Sequence, residues 1–142
     1  TSLHLKGSTV TVASNSGNLA RTGYTFGGWN TNSAGTGTNY TAGSGSFTMG
    51  SSNTTLYAKW NENKYNVVIS TDGSGTTNQT GTKSIGIVGI SITATPKIGS
   101  AFKQWEVTGG AKVANATSVT TTITATSAGT VKAVFEEKRA LA

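Results

Sequence analysis

The side chains that catalysis most often draws on are few in this chain: one histidine, His4, one aspartate, Asp72, and the glutamates Glu62, Glu106, Glu136 and Glu137. A metal centre needs several His, Cys or carboxylate ligands brought together. His4 has none close by in sequence, and the chain has no cysteine. Asp72 precedes Gly73 in STDGSG, a turn signal without the acidic spacing of a calcium loop. Glu136 and Glu137 are adjacent, so on a strand they face opposite ways and make no facing acid–base pair. Hydroxyls abound, yet a Ser or Thr nucleophile needs an activating base, and the His and Asp that would supply one are almost absent. The glycine-rich stretches GTGTNYTAGSG and GSGTTNQTGTK lack the G-x-x-x-x-G-K-[ST] spacing of a phosphate loop. No catalytic residue, metal ligand or cofactor is assigned, and the chain reads as non-enzymatic.

What remains for chemistry is recognition by aromatic and basic groups. In TTLYAKW, strand alternation sends Leu56, Ala58 and Trp60 to one face and Tyr57 and Lys59 to the other. An exposed ring beside a positive charge can stack on a sugar or anchor a protein interface. Tyr57 and Lys59, with Tyr40 in the long loop before them, are the candidate ligand contacts. The formal net charge is +6, but the cations are dispersed (Lys6, Arg21, Lys59, Lys64, Lys83, Lys97 and others) and no basic run lines an aromatic platform. Nucleic acid is therefore not indicated. Diffuse, salt-sensitive attraction to anionic wall or host polysaccharides fits that charge better.

These groups need a scaffold, and the composition says which kind. Of 142 residues, 35% are hydrophobic and 11% charged, with Thr, Gly, Ser and Asn filling the rest. That mixture suits strands and turns more than helices. The longest apolar run, IGIVGI at 85–90, is too short to span a bilayer. With so few large apolar groups, the closely spaced aromatics of GYTFGGWNT are needed inside. Tyr24, Phe26, Trp29, Leu56, Trp60, Phe102, Trp105 and Phe135 are the expected structural core. Trp29 lies three residues beyond Phe26, so both rings share a face only if Gly27 and Gly28 form a bulge. ASNSGNLARTG has room for a short helix capped by Asn15 or Ser16 and ended by Gly23. Further on, KYNVVIS, SITAT, SAFKQWEVT, SVTTTITAT and TVKAVFE predict about five short strands. They are separated by Asp72-Gly73, Pro96, Gly109-Gly110 and Ser127–Gly129. Ile85 and Ile87, then Ile90 and Ile92, change phase at Gly89, which predicts a bulge or two strands.

The chain also repeats itself. Gly23–Trp29 and Gly99–Trp105 share G-x-x-F-x-x-W, while Leu56–Trp60 and Val131–Phe135 share aliphatic-x-Ala-x-aromatic at nearly the same distance downstream. Two related units are expected, residues 1–62 and 63–142, the second ending in a charged tail.

Residues 9–60 resemble the internalin-type B-repeat, also called the Listeria-Bacteroides repeat. The hallmark G-Y-x-F-x-G-W falls on Gly23, Tyr24, Phe26, Gly28 and Trp29, and the closing L-Y-A-x-W on Leu56, Tyr57, Ala58 and Trp60. Residues 64–137 resemble a divergent B-repeat. The resemblance implies mainly β architecture in tandem small domains, the first β-grasp-like with a small α element. It implies a structural or adhesion module of a bacterial cell-surface or secreted protein, with no catalytic residues. Implied partners are neighbouring repeats, host or surface proteins, and cell-wall or host polysaccharide. A full first repeat would open with a strand ahead of TVTV, whereas only TSLHLKGS stands there. Either Leu3 and Leu5 replace that strand or the domain lacks it, and residues 1–6 are expected to be held less firmly than residues 9–12.

Overall fold

The structure is a computed structural model and describes residues 1–141. The chain separates into two compact units, Thr1–Glu62 and Asn63–Ala142.

The first unit contains β1 (Thr9–Thr11), β2 (Tyr24–Asn30), β3 (Asn39–Tyr40), β4 (Ser46–Thr48) and β5 (Tyr57–Glu62). β1 and β4 pair antiparallel with Val10 opposite Phe47, and β2 lies between β3 and β5 in a second antiparallel sheet. Val10 and Val12 are buried. On β2 the alternation breaks where the spacing requires it. Phe26 pairs with Trp60 and Trp29 with Ala58, so three steps along β2 match two along β5. Gly28 makes this possible with φ +99, a region L side chains avoid, and a Cβ there would meet the Tyr40 carbonyl oxygen at 2.5 Å. The bulge seats Phe26 edge-on to two rings, 5.4 Å from Trp29 and 5.7 Å from Trp60.

Residues 13–23 differ from the expectation of a short helix: they turn without forming one. Asn15 closes the turn on itself, its Oδ1 accepting from Leu19 N (2.8 Å) and its Nδ2 donating to Leu19 O. Asn18 has φ 49, and Gly17 adds no helix propensity. Side-chain bonding to the local backbone competes with a helix this short, for which nucleation already costs more than a few bonds return. The first unit is thus mainly β, as expected, but the small α element of the β-grasp-like expectation is absent. Residues 1–6 form no strand, and Leu3 and Leu5 are 97% and 82% exposed, so they do not build a replacement edge.

In the second unit, β6 (Tyr65–Thr71), β7 (Gly75–Thr77), β8 (Gly81–Ile85), β9 (Ile90–Pro96), β10 (Ser100–Val113) and β11 (Thr120–Glu137) form one sheet system. β11 organises it. Its first part pairs antiparallel with β9, its later part parallel with β6, and β10 accompanies both. Val67, Ile69, Ile92, Ile123, Val131 and Ala133 point into a core closed by Trp105 and Phe135. Where about five short strands were expected, there are six, and two are long, of 14 and 18 residues. Gly109-Gly110 and Ser127–Gly129 do not separate strands. Gly109 (φ +64) pairs with Gly129, and a register shift between Gly109 and Ala111 lets both ladders run through. The phase change at Gly89 proves to be a break between β8 and β9, and Pro96 ends β9.

The same ring device recurs here. Phe102 pairs with Phe135 and Trp105 with Ala133 across a register shift, and Phe102 lies 5.3 Å from Trp105 and 5.9 Å from Phe135. The equivalence even reaches the indole nitrogens. Trp29 Nε1 donates to Ala13 O (2.7 Å) and Trp105 Nε1 to Ser118 O (2.8 Å). Each tryptophan pins a preceding or following loop to its sheet. Asp72, read as a turn residue, does more than turn the chain: its Oδ1 accepts from Ser74 N and its Oδ2 reaches Phe135 N at 2.8 Å. The Phe135 amide, then the Ser74 amide and the Lys132 charge, hold the Asp72 carboxyl below the usual aspartate range. The turn is thereby tied to the strand that carries the closing aromatic.

Candidate functional site

β5 is the edge of its three-stranded sheet, and its alternation places the candidate contacts. Tyr57 is 42% exposed and lies opposite Asn30 of β2. Lys59 is half-buried; its Cγ rests against Gly35, 3.9 Å from where a Cβ on that glycine would stand. Tyr40 is half-buried too, with its ring 5.5 Å from Phe47, so it serves the contact between β3 and β4. The three do not form one surface. Lys59 instead borders an open hollow of about 140 Å³ with Arg21, Ser33, Ala34, Gly35, Ala58 and Trp60, which neither Tyr57 nor Tyr40 lines.

Of the aromatics expected inside, Trp105 and Phe135 are buried, while Tyr24, Phe26, Trp29, Trp60 and Phe102, like Leu56, are half-buried and packed ring against ring or strand. His4 is exposed and within 2.8 Å of Ser2 Oγ. Glu137 is exposed and meets Arg139 at 3.5 Å. Among the described residues, no group of three or more His, Cys, Asp or Glu is placed to hold a metal ion. No helix among them is long and apolar enough to cross a membrane.

Two residues of this region have roles that spacing and alternation do not reveal. Asn30 is completely buried. Its Oδ1 accepts from Asn32 N (2.8 Å) and Gly37 N (3.0 Å), and its Nδ2 donates to Gly37 O (3.0 Å) and Asn39 Oδ1 (2.6 Å). Asn30 thus ties down both ends of the loop from β2 to β3, which Thr31 also closes by donating its N–H to Thr38 O (3.1 Å) and accepting from Thr38 N on its Oγ1 (3.0 Å). Arg21 lies with its guanidinium carbon 3.9 Å from the centre of the Tyr24 ring, a cation–π contact. The only sequence signal for the first was a cluster of Asn and Gly between two strands, and for the second none.

Residues 5–59 match the Listeria-Bacteroides repeat domain, and residues 65–139, more than half of the chain, match the Divergent InlB B-repeat domain. The chain belongs to the InlB-type B-repeat family. The doubled ring device and its paired bulges are what the two B-repeats have in common physically. A relative named as a putative Gly-rich membrane protein, from Evansella cellulosilytica, is 50% identical over 68 residues, 46% of this chain and 8% of that protein. The chain thus spans less than a tenth of that relative. No solved structure matches it. As B-repeats, the two units are a tandem repeat module of the kind typical of bacterial cell-surface and secreted proteins.

Proposed function

We propose that the two B-repeats act mainly as a structural spacer within a larger surface protein. The observation that carries this is the use of the aromatics. In both units the Phe–Trp pair and the closing aromatic are spent on one another, and each Trp of the pair gives its N–H to a backbone carbonyl. The Phe–Trp pairs committed in this way offer little to a ligand, whereas repeated self-contained units are suited to extending a chain.

A second reading, adhesion to protein or carbohydrate through an exposed ring, rests on Tyr57, the most exposed aromatic side chain of the first unit. Retention of the chain on host-cell fractions, cell-wall fractions and a glycan array, at low and high salt, separates the two. The spacer reading expects retention that is weak, falls with salt and is the same for wild type and Tyr57→Ala. Salt-resistant retention lost in Tyr57→Ala overturns it in favour of adhesion.

A further inference from the structure

We propose that the hollow bounded by Arg21, Lys59 and Trp60 binds a single anionic group, a carboxylate or phosphate, carried on a saccharide or polyol polymer. This goes beyond the spacer reading and does not use Tyr57.

Four observations converge on it. First, the hollow holds two cations without anionic partners. Glu62 is the sole carboxylate of the first unit, and neither Arg21 nor Lys59 forms an ion pair among the described residues. Second, the Arg21 guanidinium and the Lys59 stem each lie against a neighbour in the fold. Arg21 is stacked on Tyr24, and the Tyr24 amide donates to the Arg21 carbonyl at 3.0 Å. The Lys59 Cγ comes near Gly35, 3.9 Å from where a Cβ on that glycine would stand, in a loop fixed by Ala34 N donating to Asn32 Oδ1 (2.7 Å) and Gly35 N to Asn32 O (3.0 Å). That loop is itself suspended from buried Asn30. Preorganised donors lose little side-chain freedom on binding.

Third, Trp60 departs from its counterparts. Trp29 and Trp105 give their indole N–H to carbonyls, whereas among the described residues Trp60 gives its own to none. A half-buried indole with an unused donor, beside two cations, suits a ring that carries hydroxyls and a charge. Fourth, the fold does not require these groups. In the second unit the position of Lys59 is taken by Val134 and that of Trp60 by buried Phe135, and the same ring device assembles without a cation. At about 140 Å³ the hollow takes an anionic substituent and not a whole small molecule, which normally fills about 300 Å³ or more. The ligand is therefore a group on a polymer that continues along the surface.

The test is an amide-resolved NMR titration of the whole chain with three polymers: a polyuronate, a poly(glycerol phosphate) and neutral dextran. It is run on wild type, Arg21→Gln, Lys59→Gln, Tyr57→Ala and the charge-matched Lys83→Gln, with far-UV circular dichroism confirming that each is folded. The expected result is saturable binding of at least one anionic polymer, with shifts centred on 21, 33–35 and 58–60. Affinity falls about tenfold in Arg21→Gln and in Lys59→Gln, as for a lost charge-assisted contact, and is unchanged in Tyr57→Ala and Lys83→Gln. Binding of one anionic polymer only identifies the carboxylate or the phosphate as the ligand. No binding, equal binding of dextran, or equal weakening in Arg21→Gln and Lys83→Gln would overturn the site, the last by showing a diffuse field. Loss in Tyr57→Ala alone would overturn it too, and with it the spacer reading.

Discussion

Trp105→Ala is expected to lower the unfolding free energy of the second unit by about 3–5 kcal/mol, the usual cost of truncating a buried tryptophan. Trp105 is 3% exposed and contacts Phe102, and its loss leaves the Ser118 carbonyl without its indole donor. Its own amide also donates to Ala116 O at 2.7 Å, so the loop between β10 and β11 is held to β10 at two points and would keep only one. A small domain has roughly 5–15 kcal/mol to lose, so the change removes a large part of its stability. Urea unfolding of wild type and variant, followed by far-UV circular dichroism, measures it. Trp29→Ala should cost less, because Trp29 is only half-buried. The difference between the two variants reports how much tighter the second core is.

The second large effect is expected from a residue that is not apolar at all. Asn30→Ala should destabilise the first unit by about 2–3 kcal/mol. It strips four hydrogen-bond partners from a fully buried site, and each unsatisfied buried group costs about 1–3 kcal/mol before water and loop movement recover part of it. Asn30→Asp should not rescue it, since a carboxylate can accept from Asn32 and Gly37 but cannot donate to the Gly37 carbonyl. Hydrogen exchange locates the damage: the amides of Asn32, Ala34 and Gly37 should lose protection in Asn30→Ala, while those of the β1–β4 pair keep theirs. An unchanged midpoint in urea would show that solvent replaces all four bonds and that the loop does not depend on this side chain.

The contrast between these two residues shows which physics was readable in the sequence. The ring device was legible because a three-residue step between Phe26 and Trp29 admits few solutions on a strand, and the same step recurs at Phe102 and Trp105. Spacing alone implied the bulge. Asn30 was not legible, since alternation sends it to the face opposite Trp29, where an asparagine is read as a surface residue. Its burial comes from the loop folding over it, a tertiary fact. The long β10 and β11 were hidden for a related reason. Gly109-Gly110 and Ser127–Gly129 look like breakers one at a time, and only their pairing across the ladder turns them into a bulge inside two continuous strands. At 13–23 the cap residues suggest a helix that the segment is too short to sustain: Asn15 bonds to Leu19, four residues on, and so closes a loop and starts no helix. Of the candidate contacts, strand alternation could place Tyr57 and Lys59 on a face. It could not show that Lys59 borders a hollow together with Arg21, a residue well separated from it in sequence.

The central claim is that the Phe–Trp pairs of both B-repeats are structural members, each indole fixed to a backbone carbonyl, while Trp60 is left free to meet solvent. Hydrogen exchange of the three indole N–H groups, read by NMR on the intact chain, tests this most directly. Slow exchange is expected at Trp29 and Trp105, which donate to Ala13 O and Ser118 O at 2.7 and 2.8 Å, and fast exchange at Trp60. Exchange at Trp29 or Trp105 as fast as at Trp60 would contradict it.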